Sequence, residues 1–142
     1  MIEINNFNNI CIDGYDEVWA IVRSYKNYNP NSEILWIPEL SPSKNLFSKY
    51  LKLKDTNKWN TESFNNIYVP QFLKEMKTNI VARNKLNELS RKDKQNKNIC
   101  LICFCLDETL CHRSIIAGLL QGVNRNVIGP NYSKYYDLYK QI

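Results

Sequence analysis

The residues best equipped for chemistry crowd into one short stretch: Cys103, Cys105, Cys111, His112, Arg113 and Ser114, with His112 the only histidine of the chain. A cysteine beside a histidine and an arginine is a candidate activated nucleophile. The imidazole can take or return a proton, and the guanidinium favours the thiolate. If Thr109 caps the helix that follows, Cys111 falls at N2 and His112 at N3, and the unpaired N–H groups of the first turn surround the thiol. Those donors together with Arg113 would hold a phosphate or carboxylate, Arg113 adding a bidentate grip. Catalytic roles therefore fall to Cys111, His112 and Arg113, with Cys103 and Ser114 beside the ligand. The opposing account is structural: Asp107 and Glu108 satisfy the helix N-terminus, His112 is a half-buried histidine bonded to a backbone carbonyl, and Cys111 is a small core residue.

The same stretch offers four soft or borderline metal ligands, Cys103, Cys105, Cys111 and His112. Zinc sites commonly use cysteine pairs two to four residues apart and a second pair well separated, and adjacent Cys111 and His112 are poorly spaced to reach one tetrahedral ion. The spacing thus argues against a metal, and no cofactor is expected.

These side chains need a scaffold that brings loops together, and the apolar pattern supplies one. Ile10-Cys11-Ile12 reads as a strand, Asp13-Gly14-Tyr15 as a tight turn, and Val18, Ile21, Val22 and Tyr25 as one face of a helix. Ile34–Ile37 reads as a strand entering a rigid loop between Pro38 and Ser43. Helices are expected over Leu46–Leu53, ending near Asp55, over Thr61–Lys77 with a kink or break at Pro70, and over Asn79–Leu89, before a surface turn at Arg91–Asn98. The most apolar run, Ile99–Leu106, is a strand buried on both faces and therefore central. A helix over Thr109–Gln121 stopped by Gly122, a strand over Asn126–Ile128 and an aromatic C-terminal helix complete the chain. Alternating strands and helices predict an α/β fold: a single domain over 1–142, a three-layer sandwich with a mostly parallel central sheet, Rossmann-like.

In such sheets ligands bind beyond the carboxyl ends of the strands. Three loops should meet there, placing Asp13, Gly14 and Tyr15 from the first, and Glu39, Ser41 and Ser43 from the second, against the Cys-His-Arg loop. Tyr15, Tyr68 or Trp59 would stack on a base.

Composition narrows the classes. The 142 residues carry a formal net charge of +5, and 44% are hydrophobic, enough for one core. No apolar run approaches a membrane span, and the N-terminus has no basic and apolar leader, so a cytoplasmic protein without membrane association is expected. Five cysteines, four of them between Cys100 and Cys111, do not form a spread disulfide framework. Ile, Asn and Lys number 15, 20 and 14, all with AT-rich codons, which points to an AT-rich bacterium or a phage. Residues 44–97 hold thirteen Lys/Arg against five Asp/Glu. Such a stretch is either a solvated helical face or a surface for phosphate-bearing partners.

The segment Leu101-Ile102-Cys103-Phe104, then Asp107, then Cys111-His112-Arg113-Ser114-Ile115-Ile116 resembles the signature of the Domain of Unknown Function 488 family. In that family a buried strand ends in Cys and a Cys-His-Arg triplet opens the next helix. Phe64, Tyr68 and Phe72 resemble its Phe and Tyr helix, and Ile12-Asp13-Gly14-Tyr15 its first strand and Gly-Tyr turn. The likeness covers about residues 10–129. Two features depart from it: Trp36-Ile37-Pro38-Glu39 stands where many members carry Asp-Val-Arg, and Cys105 stands where a Glu often follows the strand Cys by two. The resemblance implies the fold and the position of the site, and no general activity comes with it.

Three functions follow as expectations. The first is an enzyme acting on a nucleotide or another small anionic metabolite through Cys111, His112 and Arg113. The second is a protein that binds or sequesters a nucleotide signal without turnover. The third is a nucleic-acid binder using residues 44–97.

Overall fold

The computed structural model describes residues 1–142. Five parallel strands, β1 (Ile2–Asn6), β2 (Glu17–Ala20), β3 (Ile34–Trp36), β4 (Ile99–Cys103) and β5 (Val127–Ile128), form one sheet in the order β3-β2-β4-β1-β5. The mostly parallel sheet expected is thus parallel throughout, and β4 is its central strand. Ile99 lies opposite both Ile2 and Glu17, so β1 and β2 flank β4 in matching register. Every residue of β4 is buried, which is what an unbroken Ile-Cys-Leu-Ile-Cys run requires of a strand covered on both faces.

The two faces are covered differently. Helices α1 (Lys44–Asp55), α3 (Val69–Thr78), α4 (Ile80–Lys94), α5 (His112–Gly122) and α6 (Lys134–Lys140) bury their apolar sides with Ile2, Trp19, Ile21, Ile99 and Leu101 in the larger core. On the opposite face Val18, Ala20, Val22, Cys100 and Ile102 pack with Cys103 and Cys111, beneath Phe7, Ile10, Ile12, Tyr15 and Tyr25. This third layer of the Rossmann-like sandwich is thin: one 3-10 turn, Ile12–Gly14, and irregular chain.

Two expected elements change identity. The first strand is Ile2–Asn6, and Ile10–Ile12 instead leads into the 3-10 turn that carries the chain back over the sheet. The helix read through Val18, Ile21, Val22 and Tyr25 is strand β2 and the loop after it. Val18 to Val22 is a continuous apolar run whose alternate residues enter opposite cores, so no period of two marks it as a strand.

The remaining helices keep their expected places with shifted ends. Pro70 breaks nothing: the short helix α2 (Thr61–Ser63) runs into α3 through one π turn, Phe64–Tyr68, in which the Val69 N–H bonds the Phe64 carbonyl. Helix α4 continues to Lys94, through the first half of the expected surface turn, with Asp93 anchored inside. Its carboxylate pairs with the Met1 ammonium at 2.8 Å and accepts from the Asn126 N–H at 2.9 Å. No helix is long and apolar enough to cross a membrane.

Candidate functional site

All strands being parallel, their carboxyl ends share one edge, and three of the loops there enclose a cleft of about 1090 Å³. Phe7 follows β1, Val22–Asn27 follow β2, and Cys103–Asp107 follow β4. Tyr50, Lys54, Trp59 and Tyr68 close the cleft from the helical side.

The β4–α5 connection builds the floor. After Cys103 the chain leaves the sheet, and Asp107 caps a 3-10 turn, Glu108–Leu110, by accepting from the Thr109 N–H at 3.0 Å. Cys111 then stands in extended conformation as the N-cap of α5, which makes His112 the first helical residue. The expected cap at Thr109 is thereby corrected: the intervening turn uses Thr109 and starts the helix two residues later.

Cys111 Sγ lies 3.7 Å from Cys103 Sγ and 3.6 Å from His112 Nδ1. His112 Nε2 is 2.6 Å from the carbonyl oxygen of Ile21, just beyond β2. A carbonyl only accepts, so Nε2 carries the proton and Nδ1 turns its lone pair to the thiol. Burial pulls the His112 pKa down, outweighing the Ile21 bond, and the ring is neutral near pH 7. For Cys111, burial alone would raise the pKa. Hydrogen bonding from Cys103 and Cys105 and the charge of Arg113 overcome it and place the thiol well below its ordinary range. Cys103 moves the opposite way, because it keeps its proton in hydrogen bonds with Cys105 and Cys111.

Arg113 lies beneath this group, 1% exposed, with Nη2 donating to the Cys105 carbonyl at 2.8 Å. It faces neither the cleft nor Asp107 or Glu108. Its expected role as a direct anion clamp is corrected accordingly: as the second helical residue it points back under the loop and holds the loop's backbone while its charge supports Cys111. Ser114, fully buried, donates to the Cys111 carbonyl at 2.8 Å and belongs to the helix start.

Of the other residues singled out, Cys103, His112, Trp59 and Tyr68 line the cleft, and Cys111 sits one layer behind Cys103 and His112. Asp13, Gly14 and Tyr15 do not reach it. Residues 7–16 run back toward the amino edge to begin β2, where the Asp16 N–H bonds Asn98, and Tyr15 donates to Glu3 at 2.6 Å. Glu39 pairs with Lys85 at 3.9 Å, and the Ser41 hydroxyl bonds the Pro38 carbonyl. Ser43 caps α1, accepting from Leu46 at 3.1 Å, and donates to Glu75. That loop brings only Pro42 to the cleft.

Sequence reasoning missed most of the walls. Phe7 and Phe104 stack with centroids 4.4 Å apart, and Tyr25 meets Phe7 edge-on at 5.4 Å. Opposite them Tyr50 and Trp59 are 4.8 Å apart, and Lys54 lies 5.3 Å over the Tyr50 ring. Arg23 and Lys26 add two further cations. The available signal was the placement of Phe7, Arg23, Tyr25 and Lys26 just beyond strand ends, usable only once β1 and β2 are assigned correctly.

Cys103, Cys111 and His112 each present one donor atom, all within 4.8 Å of one another, so the strand cysteine and the two adjacent residues at the helix start form one cluster despite their spacing.

A family model described as "Active DUF488-N3 subclade" matches residues 8–123, which span β2 through α5 and include the whole β4–α5 connection. No curated protein and no solved structure matches the chain.

Proposed function

The chain belongs to the Domain of Unknown Function 488 family, and on that premise we propose that it is an enzyme acting on a nucleotide or another anionic small molecule bound in the cleft. Cys111 is the nucleophile, Nδ1 of neutral His112 is its proton acceptor, and Arg113 holds the thiolate from below. One observation carries this reading: a buried thiol and imidazole in contact lie at the foot of a cleft walled by aromatic rings and fringed by Arg23, Lys26 and Lys54. The rings suit a flat base and the cations suit its phosphates.

A second reading rests on the 2% exposure of Cys111 behind Cys103 and His112: a protein that holds the same ligand without turnover. One experiment separates the two. Wild type and Cys111→Ser are incubated with a panel of nucleoside mono-, di- and triphosphates, and both binding and products are followed by mass. Conversion by wild type alone, with binding by both, supports the enzyme. Binding without conversion by either supports the holding protein.

A further inference from the structure

The thiol cluster has the dimensions of a metal site. With Zn–S near 2.3 Å and Zn–N near 2.0–2.1 Å, two sulfurs on one tetrahedral zinc are about 3.8 Å apart, and a sulfur and a nitrogen about 3.6 Å. Cys103 Sγ and Cys111 Sγ are 3.7 Å apart, and Cys111 Sγ and His112 Nδ1 are 3.6 Å apart. None of the three donor separations exceeds 4.8 Å. Adjacent residues can both serve because Cys111 is the extended N-cap and His112 the first helical residue, so their side chains turn toward the same side of the helix start.

The surroundings agree. A metal-bound histidine usually donates its other ring N–H to a carbonyl or carboxylate, and His112 Nε2 does so to Ile21 at 2.6 Å, which leaves Nδ1 as the donor. Cys103 and His112 also line the cleft, so a fourth position on the ion would open to it.

We infer that Cys103, Cys111 and His112 form a binding site for a zinc-class thiophilic ion, with three protein ligands and a fourth position facing the cleft. Binding displaces the thiol proton that Cys103 keeps to solvent, and both sulfurs coordinate as thiolates. The site does not depend on the proposed reaction. It does bear on it, since a coordinated Cys111 is withdrawn as a nucleophile and the loaded and free proteins then differ in the chemistry they can perform.

The test uses the full chain, reduced and stripped with a chelator, titrated with Zn(II) and, separately, with Co(II). One zinc per chain is expected. Co(II) should produce the intense visible bands of a tetrahedral site and an ultraviolet thiolate-to-cobalt charge-transfer band. Cys103→Ser should weaken zinc binding by more than about 100-fold, beyond the loss typical for outer-shell partners. Cys11→Ser, at an exposed cysteine outside the cluster, should leave it unchanged. The cobalt spectrum is read on wild type, so the test survives a variant that fails to fold. No saturable zinc binding, an octahedral cobalt spectrum, or equal affinity in Cys103→Ser and wild type would overturn the inference. Failure here leaves nucleotide turnover untouched, and failure of turnover leaves the metal titration untouched.

Discussion

Arg113 supports the Cys111 thiolate from beneath and ties down the loop through the Cys105 carbonyl, so its replacement is read first in stability. A lysine lacks the planar fork that reaches this carbonyl from a fully buried stem. Arg113→Lys should therefore lose on the order of 1.5–3 kcal/mol, the range for a hydrogen bond to a charged group, in chemical denaturation. Nucleotide affinity should change little, since the side chain does not face the cleft. The thiols divide along similar physical lines. In metal-free protein, ultraviolet thiolate absorbance should show one cysteine ionising below the ordinary thiol range, and Cys111→Ser should remove that step. Cys100, pushed up to about 12 by burial, should stay a thiol throughout. Cys111 is a stronger acid and His112 a weaker base when folded than when unfolded. The unfolded chain therefore binds more protons at both sites. Each site loses its stabilising contribution as pH falls, His112 once pH passes below the ordinary histidine range. Melting temperature should decline on acidification more steeply in wild type than in His112→Gln.

Elements differ in how openly the sequence declares them. The central strand was legible because Ile99–Cys103 is too short and too apolar to be an exposed helix, and the aromatic spacing of Phe64, Tyr68 and Phe72 declared the helix across Pro70. β2 was not, because burial on both faces erases the alternation that identifies a strand, and β1 hides behind the polar Glu3, Asn5 and Asn6. Those two errors explain the misplacement of Asp13, Gly14 and Tyr15, whereas Cys103, His112, Trp59 and Tyr68 hang on elements read correctly. Another feature invisible to pattern is the close approach of α5 to the chain before α6. A methyl group on Gly118 would sit 2.1 Å from the Tyr132 carbonyl oxygen, a backbone atom that cannot swing away. Gly118→Ala should cost about 1–3 kcal/mol by overpacking, measured as a lowered denaturation midpoint.

Across the whole molecule, charge and cleft need to be told apart. The surplus of lysine and arginine over residues 44–97 is spread over α1, α3 and α4, and of these residues only Lys54 lines the cleft. Arg23 and Lys26 lie outside that basic stretch altogether. If the ligand is a nucleotide, the double variant Arg23→Gln/Lys54→Gln should weaken its binding about tenfold by calorimetric titration, as expected for lost charged contacts to phosphate. Arg91→Gln on α4 should have no effect. Equal losses from both variants, with a steep salt dependence, would favour a nucleic-acid surface instead.

On the proposed reading, the cleft holds a small anionic molecule of the nucleotide class above the Cys111–His112 pair. The decisive measurement is the mass of whatever small molecule denaturation releases from freshly purified protein, compared with a Trp59→Ala variant prepared in parallel. A nucleotide or nucleotide-derived anion is expected, near stoichiometric in wild type and depleted in the variant. Release of a neutral or cationic molecule, or of the nucleotide in equal amounts from both proteins, would contradict it.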